Sequence, residues 1–378
     1  MNRREERSLL DTARWISAAT VAFTHITGIV LHPPEGYAGH VYTNLGHCAV
    51  VIFFVLSGYL VGGGLLARRN DVQLGRYAVA RFSRIYIVLI PALLLTAGLD
   101  GLAFLTDRDS PVYSGIWPSS ILGEQPPFDR YGPVEVISAI FCLEAFTRPM
   151  GTAVPLWSLG FEWLFYFLFP GVVLAANLIA KRSGSRALLC TTICVIAVAT
   201  VFIAAGQPYA ALLWLIWTAG AAAYIAAERG GAPRLLRYAG LAVAIVGLLL
   251  PMLGRRGTDP LIGIGFAVFL SSFPPGERGF NERFDRWMAG HSYSLYVTHL
   301  PVVAFIAFLA NRTGWLPVER LPVNLSSLGL IAIMLSAIAM VALAFHHLFE
   351  SRTDDLRVWL TRSLRLKARA GPAPEIAS

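Results

Sequence analysis

Residues 46–66, GHCAVVIFFVLSGYLVGGGLL, contain no Asp, Glu, Lys or Arg, and this stretch decides the architecture. A helix needs roughly 20 mostly apolar residues to cross about 30 Å of hydrocarbon. In lipid the backbone must satisfy its own hydrogen bonds, so an apolar run of this length implies a spanning helix. Working outward, nine further runs share its character: 12–31, 83–105, 157–180, 187–206, 209–227, 235–254, 259–273, 293–311 and 326–349. The run at 259–273 is short and glycine-rich. The segment VEVISAIFCLEAF at 134–146 is shorter still and carries Glu135 and Glu144, so it reads as an interfacial or re-entrant piece within a long loop at 106–156.

Composition points the same way. The chain has 378 residues, 56% of them hydrophobic and only 14% charged, with a mean hydropathy of +0.59. Soluble domains carry about a quarter charged residues, so a soluble globular enzyme is excluded. The expected fold is an all-α polytopic membrane protein with about ten transmembrane helices. A net charge of +8 would suggest nucleic acid in a soluble protein. Here it orients the bundle instead, because Lys and Arg crowd the cytoplasmic ends of membrane helices. With the N-terminus inside, cytoplasmic segments hold 23 of the 31 basic residues and outer segments hold 7, with Arg14 inside the first span. Both termini are therefore expected in the cytoplasm, and no nucleic-acid partner is implied. Residues 1–350 form one transmembrane domain, and 351–378 form a basic cytoplasmic tail suited to anionic lipid. The four cysteines lie in apolar stretches without a CxxC pair or His/Cys cluster, so neither a disulfide framework nor a metal site is expected.

Function must then reside in polar groups within the spans, which are costly to bury. Arg14 and His25 are eleven residues apart on the first span, so they share one helix face about 16 Å apart along the axis. The plain alternative is that Arg14 snorkels to the headgroups and His25 is a satisfied bundle histidine. Ser57-Gly58 falls near mid-membrane, where small residues allow close approach of a helix or ligand. Arg81 and Arg84 share a face at the inner mouth of the third span and, with Arg14, suit phosphate groups. Glu162 lies about five residues below the outer surface on the fourth span, a depth comparable to that of His25. A carboxylate beside an imidazole fixes its tautomer, so Glu162 is one expected partner of His25 and Asp100 is a second. His299 falls in the inner third of the ninth span, and Glu350 ends the tenth.

These motifs occur in one order: LLDTARWISAATVAFTH, FFVLSGYLVG, RFSRIY, PLWSLGFEWLFYF and SYSLYVTHLP. In that order, over about 10–350, the chain resembles the acyltransferase 3 family of bacterial integral-membrane acyltransferases. The resemblance implies a ten-span bundle in the inner (plasma) membrane. It would move an acyl group, usually acetyl, from cytoplasmic acyl-CoA to a hydroxyl of a glycan or lipid-linked saccharide at the outer face. It implies His25 as the catalytic histidine, Arg14, Arg81 and Arg84 as donor-binding residues, Ser57 and Gly58 along the acyl path, and Glu162 as support. Trp157, Ser158 and His299 are further candidates within the shared motifs. The chain departs from the family in ending its last span with FESRTDD rather than Glu-x-Pro, which lowers the weight of Glu350. The competing class is a secondary transporter with His25, Glu162 and Asp100 as a proton relay. The second half of the sequence shows no repeat of the Arg-x10-His or SGYLVGG patterns that would favour it.

Overall fold

The structure is a computed structural model that describes residues 8–366, apart from 33–34, 118–119, 124, 181–183 and 274–280. Basic residues 3, 4, 7, 181, 182 and 278, and the tail beyond 366, are part of the charge count above but lie outside the described residues.

The long helices are α1 (Ser8–Val30), α2 (Gly36–Ser57, running on through Ala67) and α3 (Leu74–Thr106). A short α4 (Pro133–Ile140) follows, then α5 (Trp157–Ile179), α6 (Gly184–Ala204) and α7 (Pro208–Glu228). The remainder are α8 (Arg234–Leu249), α9 (Gly254–Ser271), α10 (Glu282–Gly290), α11 (Ser292–Arg312), α12 (Leu325–Leu348) and α13 (Thr353–Ser363). Among the described residues the only β feature is a single bridge between Leu31 and Leu321.

Seven of the ten expected spans fall on helices long and apolar enough to cross a membrane. The other three fall on α1, α8 and α9. Arg14 and His25 dilute the apolar run of α1, whereas α8 has only 16 residues and the apolar part of α9 is limited to Gly257–Ser271. The segment at 134–146 is not a span. It forms α4 and a turn, with Val134, Ile137, Phe141 and Phe146 exposed.

The end of the bundle where α1 begins is here called proximal, and the opposite end distal. Two apolar cores fill it. One gathers side chains of α2, α3, α5, α7 and α9 around the parallel indoles of Trp214 and Trp217, whose planes differ by 4°. The other joins α1, α11 and α12 to the distal loop through Ile26, Tyr113, Leu300 and Met334. Along α11, Tyr296 and Val297 belong to the first core and Leu300 to the second. His299 therefore sits on the seam between them.

Small residues set the closest crossings, as expected where dispersion and backbone approach replace hydrophobic driving force. A Cβ at Gly58 would overlap the Trp217 carbonyl, and one at Gly220 would overlap the Val55 carbonyl, so α2 and α7 touch backbone to backbone. A Cβ at Gly240 would lie 2.6 Å from the Gly265 carbonyl, which brings α8 equally close to α9. After Ser57 the helix widens into a π-helical segment, Gly58–Gly63, whose glycines lie along Trp217, Ala221 and Tyr224 of α7. We expect Gly58→Val to lower the melting temperature of the detergent-solubilised protein, reflecting an overpacking cost of about 1–3 kcal/mol. An unchanged melting temperature would contradict this packing role.

Candidate functional site

The polar residues of the spans fall into three levels. At the proximal level Arg84 of α3 forms a 2.8 Å ion pair with Glu350, which follows α12. Glu350 also accepts from the backbone N–H of Ser294 at 3.2 Å and its hydroxyl at 2.6 Å. It thus ties α3, α11 and the end of α12 together, so this acid has a larger structural part than its sequence context suggested. Arg84 lies over the ring of Tyr293, and Arg14 pairs at 3.7 Å with Asp11 while lying within electrostatic reach of Arg84 and Glu350. Arg81 stacks over Tyr166, and its Nε is buried without a hydrogen-bond partner among the described residues. The three expected arginines therefore converge at one level, and Arg81 has an unused donor there.

At the middle level the indole N–H of Trp217 donates to Ser57 Oγ at 3.1 Å. The Ser57 hydroxyl lies 3.1 Å from that of Tyr166, which in turn donates in a short bond to Glu162. Because the Tyr166 proton is committed to the carboxylate, the Ser57 proton points to Tyr166. A directed chain results, running from Trp217 through Ser57 and Tyr166 to Glu162. Gly58, expected beside Ser57 on the acyl path, instead packs against the backbone of α7.

At the distal level Nδ1 of His25 lies 2.9 Å from Nε2 of His299, with the rings stacked at 22°. Nδ1 of His299 lies 2.8 Å from the Tyr296 carbonyl and 3.1 Å from that of Leu295. Carbonyls only accept, so this nitrogen carries the proton. Nε2 of His299 is then a lone pair, and His25 must donate to it from Nδ1. Nε2 of His25 remains as an unprotonated acceptor. The bonding network thus assigns both tautomers without an acid.

Neither expected acid partners His25. Ser158 Oγ lies 2.6 Å from the hydroxyl of Tyr296, which sets the register of α5 against α11. From that contact Glu162 is four residues toward the proximal end and His299 three toward the distal end, a separation of about 10 Å. Counting residues from the ends of apolar runs missed this offset. His299 also lies deeper than expected, beside His25. The reason is α10, which occupies the proximal mouth with Asp285 accepting from the Trp15 indole at 2.9 Å, so α11 begins well inside the bundle.

Asp100 is fully buried at the distal end of α3, where its oxygens accept from Tyr113 (3.1 Å), Tyr131 (2.5 Å), the Thr152 amide (2.9 Å) and the Thr152 hydroxyl (2.8 Å). A carboxylate has about four lone-pair sites, and all are taken. Asp100 anchors the loop at 107–153 and has no capacity left to serve an imidazole. Trp157 stacks on His47 at 12°, and His47 contacts both oxygens of Asp259 at 3.0 Å. His47, Asp259 and Tyr209 were missed because polar residues near the ends of apolar runs look like boundary markers. Tyr166 and Tyr296 were missed because tyrosines within an aromatic run look like packing. Among the described residues no group of three His, Cys, Asp or Glu side chains could hold a metal.

Taken together, the helices and buried polar levels define a multi-pass membrane protein built around an imidazole pair. The family model for the acyltransferase domain matches residues 8–346, nearly the whole chain, and the protein belongs to the acyltransferase 3 family. It is a membrane acyltransferase. No curated protein and no solved structure matches the chain.

In the distal loop, burial pushes the Glu144 carboxyl up to about 8, against partial relief from the Met150 amide and Arg130. A raised carboxyl stabilises the fold while protonated, and that contribution is lost as pH rises from the ordinary 4.5 toward 8. We expect the melting temperature of the detergent-solubilised wild type to fall over this window. Glu144→Gln should flatten the dependence, and a profile unchanged by the substitution would refute it.

Proposed function

We propose that the protein moves an acyl group, acetyl in the first instance, from acyl-CoA on the cytoplasmic side to a hydroxyl of a surface glycan or lipid-linked saccharide outside. The setting is a bacterial inner membrane, crossed by ten helices with both termini in the cytoplasm. The observation that carries this reading is the free Nε2 of His25, held as a proton acceptor by the bonds of His299.

A thioester is already activated, so the enzyme chiefly needs a base and stabilisation of the developing oxyanion. The acceptor hydroxyl loses its proton to His25 Nε2 as its oxygen bonds to the thioester carbonyl carbon. The carbon–sulfur bond breaks, and His25 returns the proton to the departing thiolate. His299 acts as a positioning residue that keeps Nδ1 of His25 protonated and Nε2 bare. Arg14, Arg81 and Arg84 would hold the donor's phosphates, and the unpartnered Nε of Arg81 supports that assignment. Ser57 lies between the two ends and lines the acyl path in this reading, with Glu162 and Tyr166 fixing its hydroxyl. The histidine pair carries one extra proton between the two transfers and returns to its starting charge when the thiol leaves.

Membrane vesicles supplied with labelled acetyl-CoA provide the test. His25→Ala should lower transfer by about 10²–10⁴-fold while the protein remains in the membrane. Full activity in that variant would sink the proposal. Arg81→Ala should raise the KM for acyl-CoA by about 10-fold or more, as loss of a charge-assisted contact implies, and leave the acceptor KM nearly unchanged. Equal losses for both substrates would remove Arg81 from donor binding.

A further inference from the structure

His47, Asp259 and Tyr209 come from the distal parts of three helices, α2, α9 and α7, and none is used by the chemistry above. Asp259 is fully buried. His47 Nε2 lies 3.0 Å from each of its oxygens, the Tyr209 hydroxyl donates to Oδ2 at 2.9 Å and the Thr258 hydroxyl to Oδ1 at 3.4 Å, so the carboxylate is filled and acts by orienting His47 and Tyr209. The Nε2 proton is committed to the carboxylate, which leaves His47 Nδ1 for a further hydrogen bond. The indole of Trp157 lies parallel to the imidazole, with centroids 6.1 Å apart.

This cluster is joined to the histidine pair through the first two residues of α5. Trp157 stacks on His47, while Ser158 bonds Tyr296, three residues before His299. The levels also agree. Gly46 packs against the side chain of Thr24, so His47 and His25 each follow a residue of one touching pair. Trp157, Tyr209 and Asp259 all lie in the opening turns of helices that begin at the distal end, the side that the basic-residue count assigns to the exterior.

We propose that His47, Asp259 and Tyr209, with the indole of Trp157, form the subsite that holds a neutral saccharide acceptor next to His25. The inference rests on the O-acyltransfer reading above. A pyranose offers adjacent hydroxyls that both donate and accept, and an apolar C–H face. The outward ring nitrogen of His47, the Tyr209 phenol oxygen and the flat indole, held in place by Asp259, match those groups in kind. A phosphate in the same place would meet the negative charge of Asp259. The subsite holds hydroxyls neighbouring the one acylated, so its contacts govern which sugar, and which position on it, reaches His25.

The test uses the full-length protein in nanodiscs and hexyl glycosides of glucose, galactose, rhamnose and N-acetylglucosamine as probes. Binding is measured by saturation-transfer NMR without any acyl donor, so it stands or falls separately from the donor chemistry. At least one glycoside should bind to the wild type, and Asp259→Asn, which keeps the shape, should weaken it at least tenfold. Tyr209→Phe should weaken it less. In the transfer assay Asp259→Asn should raise the KM for that glycoside and leave the KM for acyl-CoA within twofold, a split that a cluster serving only to tie helices together would not produce. Failure of every glycoside to bind, or binding unaffected by Asp259→Asn, would overturn the inference. Binding without transfer in the wild type would instead count against the acyl-CoA reading and leave the subsite standing.

Discussion

The carbonyls of Leu295 and Tyr296 hold the proton on Nδ1 of His299, and the polarity of the distal site follows from that contact. A backbone carbonyl cannot donate, so the direction of the next bond, from His25 to His299, is forced rather than chosen. Side-chain tautomers are thereby set by helix geometry, in a region where no acid contacts His25. Pro301 sits two residues beyond His299 within α11 and removes one amide donor from the same stretch. The carbonyl it leaves without a ladder donor is that of Val297, the residue after the two that the imidazole takes.

The same economy governs the other polar groups. The buried carboxylates are placed where donors can reach them, because an unpartnered charge in low dielectric is costly. Glu350 takes Arg84 and Ser294, Glu162 takes Tyr166, and Asp100 takes four donors. Several arginines keep a buried Nε without a partner among the described residues, and of these Arg81 lies at the level where three arginines converge, with the unpartnered Tyr77 hydroxyl one turn before it on α3.

Much of the architecture could be read from the sequence, because apolar length and charge asymmetry are properties of the chain itself. All ten expected spans fall on helices, although α1 is diluted by the arginine and histidine that make it interesting. The convergence of Arg14, Arg81 and Arg84 was also legible, since spacing on a helix and position near a span end fix depth well. Pairing was not. Glu162 and His25 seemed level because each lay a few residues below a hydropathy boundary, yet the Ser158–Tyr296 contact offsets their helices. His299 seemed too close to the inner mouth because hydropathy cannot register that α10 caps that mouth. Helix register depends on side-chain contacts between elements far apart in sequence, and the clusters around Glu350 and Asp259 were invisible for that reason.

The loop at 107–153 gives the fold an unusual division of labour. Tyr113, Tyr131 and Thr152, spread along the loop, all report to the single carboxylate of Asp100 on α3. The loop's apolar residues take other routes, with Val112, Trp117 and Leu122 entering one core and Cys142 and Met150 the other, so its polar and apolar anchoring are separated. The exposed positions between those anchors can drift in composition without moving the helices. A lineage that retained the Asp100 donors and the buried apolar residues would be free to remodel the remaining outer face, and with it the surface molecules it meets, on an unchanged chassis.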